Sequence, residues 1–280
     1  MSQRQRVRWL RKPVTVREDK AASRLLLTWQ DPPAFECINF HGRSKTVLIC
    51  DHASNRIPRR LGDLGLGPEL LLDHIAWDPG AAAVARVLSE LLDAPLVLSA
   101  YSRLVIDCNR PLESPQSVAE ESAGTEVPGN LGLTSSQRRQ RVDEVFKPYH
   151  RAIAALLDAR SGRPSLLLSI HSFTANLDGL RRPWVIGVAS RRNRGLTGCL
   201  IRALRVSNIG LVGDNEPYGI ADAYDYSLPT HGERRGIAHA MIEIRQDGLC
   251  DPADARFWAE HLATASRRAE QSLPWPNAGI

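Results

Sequence analysis

The sequence of 280 residues contains no apolar run approaching ~18 residues, the length a membrane-crossing helix needs. No membrane-spanning helix is therefore expected. It has no CxxC pair and an odd number of cysteines, five. This argues against both a disulfide framework and a structural zinc knuckle. Cys50 and Cys108 fall inside apolar runs, where a thiol behaves as a small hydrophobe. The basic N-terminus lacks the apolar core of a secretory signal, so a cytoplasmic location is expected. There is no internal repeat and no low-complexity linker. Net positive charge is confined to one segment. Residues 1–24 hold eight basic and two acidic residues, and the remainder holds 28 basic against 29 acidic. The net charge of +5 thus belongs to a tail, residues 1–22, expected to be mobile, ahead of a single α/β domain over 23–280. Without a folded basic face, the charge pattern argues against nucleic-acid binding.

What the sequence does have is a series of short apolar runs. "RLLLTW" (24–29), "TVLIC" (46–50), "PLVLSA" (95–100), "RLVIDC" (103–108), "SLLLSI" (165–170), "WVIGVA" (184–189), "IGLVG" (209–213) and "AMIEIR" (240–245) read as strands. Runs without alternation suit strands covered on both faces. Helical periodicity fills 79–92, 135–159 (with a kink expected at Pro148), 195–205 and 252–270. This alternation predicts a three-layer α/β/α fold with a mixed, largely parallel central sheet. The segment 111–134, rich in Pro, Ser, Gly and Glu, reads as a long loop of the kind that often carries function.

Three of the runs end in, or contain, residues that bear chemistry. "TVLICDHASN" leads into His52 and "SLLLSIHS" into His171, while Glu243 stands inside "AMIEIRQD". In open α/β sheets, ligands bind beyond the carboxyl ends of the strands. Two histidines so placed can ligate one Zn²⁺, with a nearby glutamate as general base. A carboxylate inside an apolar strand is also expected to have a buried partner. "SRLVIDCNRP" puts Arg103 at the start of a predicted strand and Asn109–Arg110 at its end. Arginine forks and an amide suit carboxylate recognition, and an arginine can stabilise an oxyanion.

In order, "CDHASNRIP", "HIAWDPGA", "YSRLVIDCNRP", "SIHSF", "DNEPYG", "YSLPTHG" and "IEIRQD" resemble the N-formylglutamate amidohydrolase family over about residues 40–270. That family is similar in arrangement to zinc carboxypeptidases and aspartoacylase. The resemblance implies a zinc-dependent hydrolase acting on a small N-acyl amino acid. It implies His52 and His171 as metal ligands, Arg103 as carbonyl-polarising residue, Asn109 and Arg110 as the carboxylate pair, and Glu243 as general base. Tyr218 and His231 lie in matching motifs and are candidate substrate contacts. One departure from zinc carboxypeptidases and aspartoacylase stands out: the position three after His52 is Asn55, where those enzymes have glutamate. The third ligand is then either Asn55 or Asp78, and Asp78 reads equally well as a helix N-cap before proline. His74 is a further candidate. Three alternatives stay open: a carboxypeptidase or acylase for another substrate, a metal-poor binding relative, and a nucleic-acid-associated protein acting through its tail. A homo-oligomer is compatible with the sequence, but nothing in it specifies one.

Overall fold

The apolar runs without alternation become strands whose two faces are both covered. The structure, a computed structural model, describes residues 25–163, 165–177, 179–192 and 194–273. The expected basic tail, 1–22, lies outside the described residues. The strands are β1 (Phe35–Ile38), β2 (Thr46–Cys50), β3 (Leu96–Ser99), β4 (Glu121–Ser122), β5 (Thr125–Glu126), β6 (Leu166–Phe173), β7 (Asn176–Leu177), β8 (Leu180–Arg181), β9 (Ile186–Ala189), β10 (Val212–Asp214) and β11 (Ala238–Arg245). Seven of them form one sheet in the order β1-β3-β2-β6-β11-β9-β10. Its centre, β3-β2-β6-β11, is parallel, and β1 and β9 join antiparallel.

The helices are α1 (Pro68–Leu72), α2 (Ala81–Leu92), α3 (Ser135–Arg141), α4 (Lys147–Asp158), α5 (Arg194–Val206), α6 (Ser227–His231) and α7 (Pro252–Ser272). Alternate strand residues face opposite layers. Leu48, Leu96, Leu168 and Ile242 pack with α2, α5 and α7. Val47, Val97, Leu167 and Met241 pack with α4 and the segment 101–108 on the other face. This is the expected three-layer fold. Its second layer is only partly helical, and there the sequence reading needs correcting.

Residues 103–108 are not a strand. Leu104, Val105, Ile106 and Cys108 are buried, but the chain runs in turns. A buried loop must have its carbonyls satisfied. Arg141 donates to Val105 O (2.9 Å), and Asn130 Nδ2 donates to Leu104 O (2.9 Å). Apolar composition alone does not separate such a segment from a strand. Residues 25–29 likewise form no strand, and β1 lies six residues beyond them. Around Pro148 the helix widens into a π-helical turn, Val142–Phe146, and the proline falls in the first turn of α4, where no N–H is needed. Segment 111–134 is not structureless. It folds into short 3-10 turns and the β4–β5 ribbon.

Candidate active site

The sheet's alternation brings the key side chains together. In the parallel β6–β11 pair, His171 is in register with Glu243, and both point away from the α2/α5/α7 layer. Asp51 and His52 leave the end of the neighbouring strand β2. Opposite them, Asp78 sits two residues before Gly80, whose φ of 81° is a left-handed turn that glycine adopts freely and from which α2 starts. Gly80 is the N-cap, so the capping role considered for Asp78 is not the one it plays. Its carboxylate instead faces both histidines: Oδ2 lies 3.4 Å from His52 Nδ1 and 2.9 Å from His171 Nδ1. Donor atoms on a tetrahedral ion at about 2.0–2.1 Å are separated by about 3.4 Å. The three buried residues, His52, Asp78 and His171, therefore fit a metal ion.

Each histidine is held from behind by a carboxylate that the sequence reading did not single out. His52 Nε2 meets Asp107 Oδ1 at 2.7 Å. His171 Nε2 meets Asp51 Oδ2 at 3.2 Å and Ser169 Oγ at 2.9 Å. Asp51 is itself fixed by Tyr149 (3.0 Å), Ser169 (2.9 Å) and Ser227. Such partners set the tautomer and aim the other ring nitrogen at a ligand position. Electrostatics follow the geometry. Burial would push Asp78 up, but His52 and His171 hold it far below the usual carboxylate range. Burial and Arg103 work against a charged His52, yet Asp107 and Asp78 outweigh them and raise its pKa. Burial also opposes charge on His171, and hydrogen bonds to Asp51 and Asp78 raise it well above normal.

His52, Asp78 and His171 line a cavity of about 390 Å³ with His74, Arg103, Asn109, Arg110, Phe173, Tyr218, Asp225 and Glu243. Arg103 braces the cluster from the side, donating to Asp78 Oδ1 (3.3 Å) and Asp107 Oδ2 (3.0 Å). Glu243 departs from expectation. Its Oε2 is buried and has no hydrogen-bond partner among the described residues. An unpaired buried charge is costly. Accordingly burial pushes its pKa up to about 7, despite the opposing His171, His52 and Arg103. The loop carrying Tyr218 passes over β9 beside Glu243. A Cβ at Gly187, the β9 residue in register with Glu243, would sit 1.9 Å from Glu216 O.

Four other sequence candidates are placed less directly. Asn55 does not line the cavity, and its amide donates to Leu71 O at 2.8 Å. Asn109 does line it, but its Oδ1 accepts from Tyr226 N (3.2 Å) and Ser227 N (3.1 Å), and its Nδ2 donates to Asp225 (3.1 Å). Only one amide proton is left for a ligand. Arg110 Nη1 donates to Tyr224 O and reaches Asn109 O at 3.5 Å, so among the described residues Nε and Nη2 are left for a ligand. His231 is buried away from the cavity, its Nε2 3.0 Å from His150 Nδ1. No residue of 111–134 lines this cavity either.

The His150–His231 pair predicts a pH effect on stability. Burial lowers the two pKa values to about 4 and about 3, respectively. Below about pH 6.5 the unfolded chain binds protons at these rings while the folded chain does not. Their contribution is complete above that pH. It falls by up to about 1.4 kcal/mol per pH unit and ring as pH drops toward 4. The slope of unfolding free energy against pH, read by urea unfolding between pH 7.5 and 5.5, should be less positive in His231→Gln than in the wild type, by up to about 1.4 kcal/mol per pH unit. The comparison cancels His52 and His171, whose shifts run the other way. Identical slopes would refute the assignment.

A gene product of Agrobacterium tumefaciens has a crystal structure that superposes with a TM-score of 0.85 at 34% identity, covering 88% of this chain and 98% of that one. The crystal structure of N-formylglutamate amidohydrolase from Ralstonia eutropha JMP134 superposes at 0.64 with 20% identity, over 86% and 98% of the two chains, and so shares the fold. No curated protein matches the chain. The N-formylglutamate amidohydrolase family model matches residues 44–250, from the start of β2's approach to the end of β11's exit loop. A match over that much of the chain carries every element that builds the cavity, and this protein belongs to the N-formylglutamate amidohydrolase family.

Proposed function

We propose that the protein is a zinc-dependent amidohydrolase that cleaves N-formyl-L-glutamate to formate and L-glutamate. The observation that carries the reading is the His52–Asp78–His171 triangle sharing one cavity with the unpaired Oε2 of Glu243. Two imidazoles and a carboxylate are a donor set suited to Zn²⁺. Bound there, the ion would polarise an amide carbonyl and make water acidic enough to ionise near pH 7. Glu243 takes the proton of the attacking water and passes it to the leaving amine. Burial, which raises its pKa, favours the protonated form through which that transfer passes. Arg103, held by Asp78 and Asp107, presents its remaining N–H groups to the oxyanion. Arg110 pairs with a substrate carboxylate through its free fork.

The test is to incubate zinc-loaded protein with N-formyl-L-glutamate and assay formate and glutamate. Equal release of both is expected. No release from this compound, with turnover of another N-acyl amino acid, would replace the substrate. A second test concerns the brace behind His52. Asp107→Asn should weaken zinc affinity by about 10–100-fold, read by competition with a chelating dye. An unchanged affinity would mean that Asp107 does not orient the ligand.

A further inference from the structure

Arg182 is 6% exposed, and no ion pair joins it to a carboxylate among the described residues. A buried guanidinium without a counter-ion is costly unless something compensates it. Its surroundings show what it is set to do. The backbone is pinned on both sides: Arg182 N donates to Ala175 O (2.8 Å), and Arg182 O accepts from Arg245 Nη1 (3.0 Å). Its guanidinium carbon lies 5.6 Å from the centre of the Phe173 ring and 4.9 Å from that of Tyr218. Nη2 donates to Tyr218 Oη at 2.8 Å, and Nη1 reaches Thr174 O at 3.4 Å. Phe173, Thr174 and Tyr218 all line the cavity, and Arg182 stands behind them.

The hydrogen-bond direction matters. A guanidinium only donates, so the phenol oxygen is the acceptor and its own O–H remains to donate elsewhere. No described residue takes that proton. We propose that Arg182 is a positioning residue that makes Tyr218 an oriented donor to an anionic oxygen of the ligand, so that the site prefers a dicarboxylate to its neutral amide analogue. Arg110 then serves one carboxylate and the Tyr218–Arg182 unit the other. The inference rests on reading the cavity as an N-acyl amino acid site, and its test separates the two.

Binding of L-glutamate and L-glutamine is measured by calorimetry for the wild type, Arg182→Met, Arg182→Lys and Tyr218→Phe, with melting temperatures on the same samples. The wild type should prefer glutamate by about tenfold or more, the worth of a hydrogen bond to a charged group. Arg182→Met and Tyr218→Phe should abolish the preference, and Arg182→Lys should restore part of it. Tyr218→Phe keeps the ring, so it tests the donor even if Arg182→Met folds poorly. Absence of a preference in the wild type would overturn the inference. So would an equal loss for both ligands in the variants, since that is what a purely structural staple gives. The hydrolytic reading fails separately, by lack of formate release from N-formyl-L-glutamate while the glutamate preference and its dependence on Arg182 persist.

Discussion

Glu243→Gln is expected to lower kcat by about 10²–10⁴ while leaving the melting temperature level or slightly higher. The two readouts come from the same feature. Glu243 sits in β11 between Ile242 and Ile244, its Oε2 has no partner among the described residues, and burial raises its pKa to about 7. Glutamine keeps the volume but cannot shuttle a proton. It also removes the tendency to bury a charge, which a stabilising ion pair would have repaid and an orphan oxygen does not. If Glu243 served only to pair with Arg103, the substitution would lower stability and spare turnover per folded molecule. Arg103 already has Asp78 and Asp107 as its carboxylate partners. Near-normal kcat with a clear drop in melting temperature would remove Glu243 from the proposed mechanism.

The second large effect separates the two candidates for the third ligand. Asp78→Ala should leave the protein unable to retain zinc through dialysis, a loss beyond the 10–100-fold expected of residues one step removed from the ion. Activity should fall in parallel. Asn55→Ala should keep zinc at the wild-type level, because the Asn55 amide is engaged with Leu71 O outside the cavity. Zinc lost in Asn55→Ala and kept in Asp78→Ala would reverse the assignment. Arg103 loses one of its two carboxylates in Asp78→Ala. Metal content should therefore be compared on samples shown to be folded by circular dichroism.

The parts of this fold legible in the sequence were those where one physical requirement dominates. Residues 46–50, 166–170 and 240–245 are mainly apolar on both faces, as strands between two layers require. His52, His171 and Glu243 stood out because they interrupt such runs. Segment 103–108 is equally apolar and equally buried, but its carbonyls are satisfied by Arg141 and Asn130, which lie about 25 to 40 residues away. Nothing local marks that. A greater separation hides Asp51, whose partners Ser169 and Ser227 are 118 and 176 positions on. Asp51 and Asp107 were in view, next to His52 and Asn109, but their roles exist only once separate strands and loops converge. Asp78 was ambiguous for a different reason. Asp before Pro and Gly satisfies the local rules of a helix start, and only the left-handed turn at Gly80 shows that the cap lies two residues on.

On the proposed reading, His52, Asp78 and His171 hold one zinc ion in the cavity they share with Glu243. Anomalous diffraction at the zinc edge, with elemental analysis of the same preparation, tests it most directly. The expected result is one ion per chain, about 2.0–2.1 Å from Nδ1 of both histidines and about 2.0–2.2 Å from the Asp78 carboxylate. Zinc-supplemented protein with no anomalous peak between these residues, or with its peak elsewhere, would contradict it.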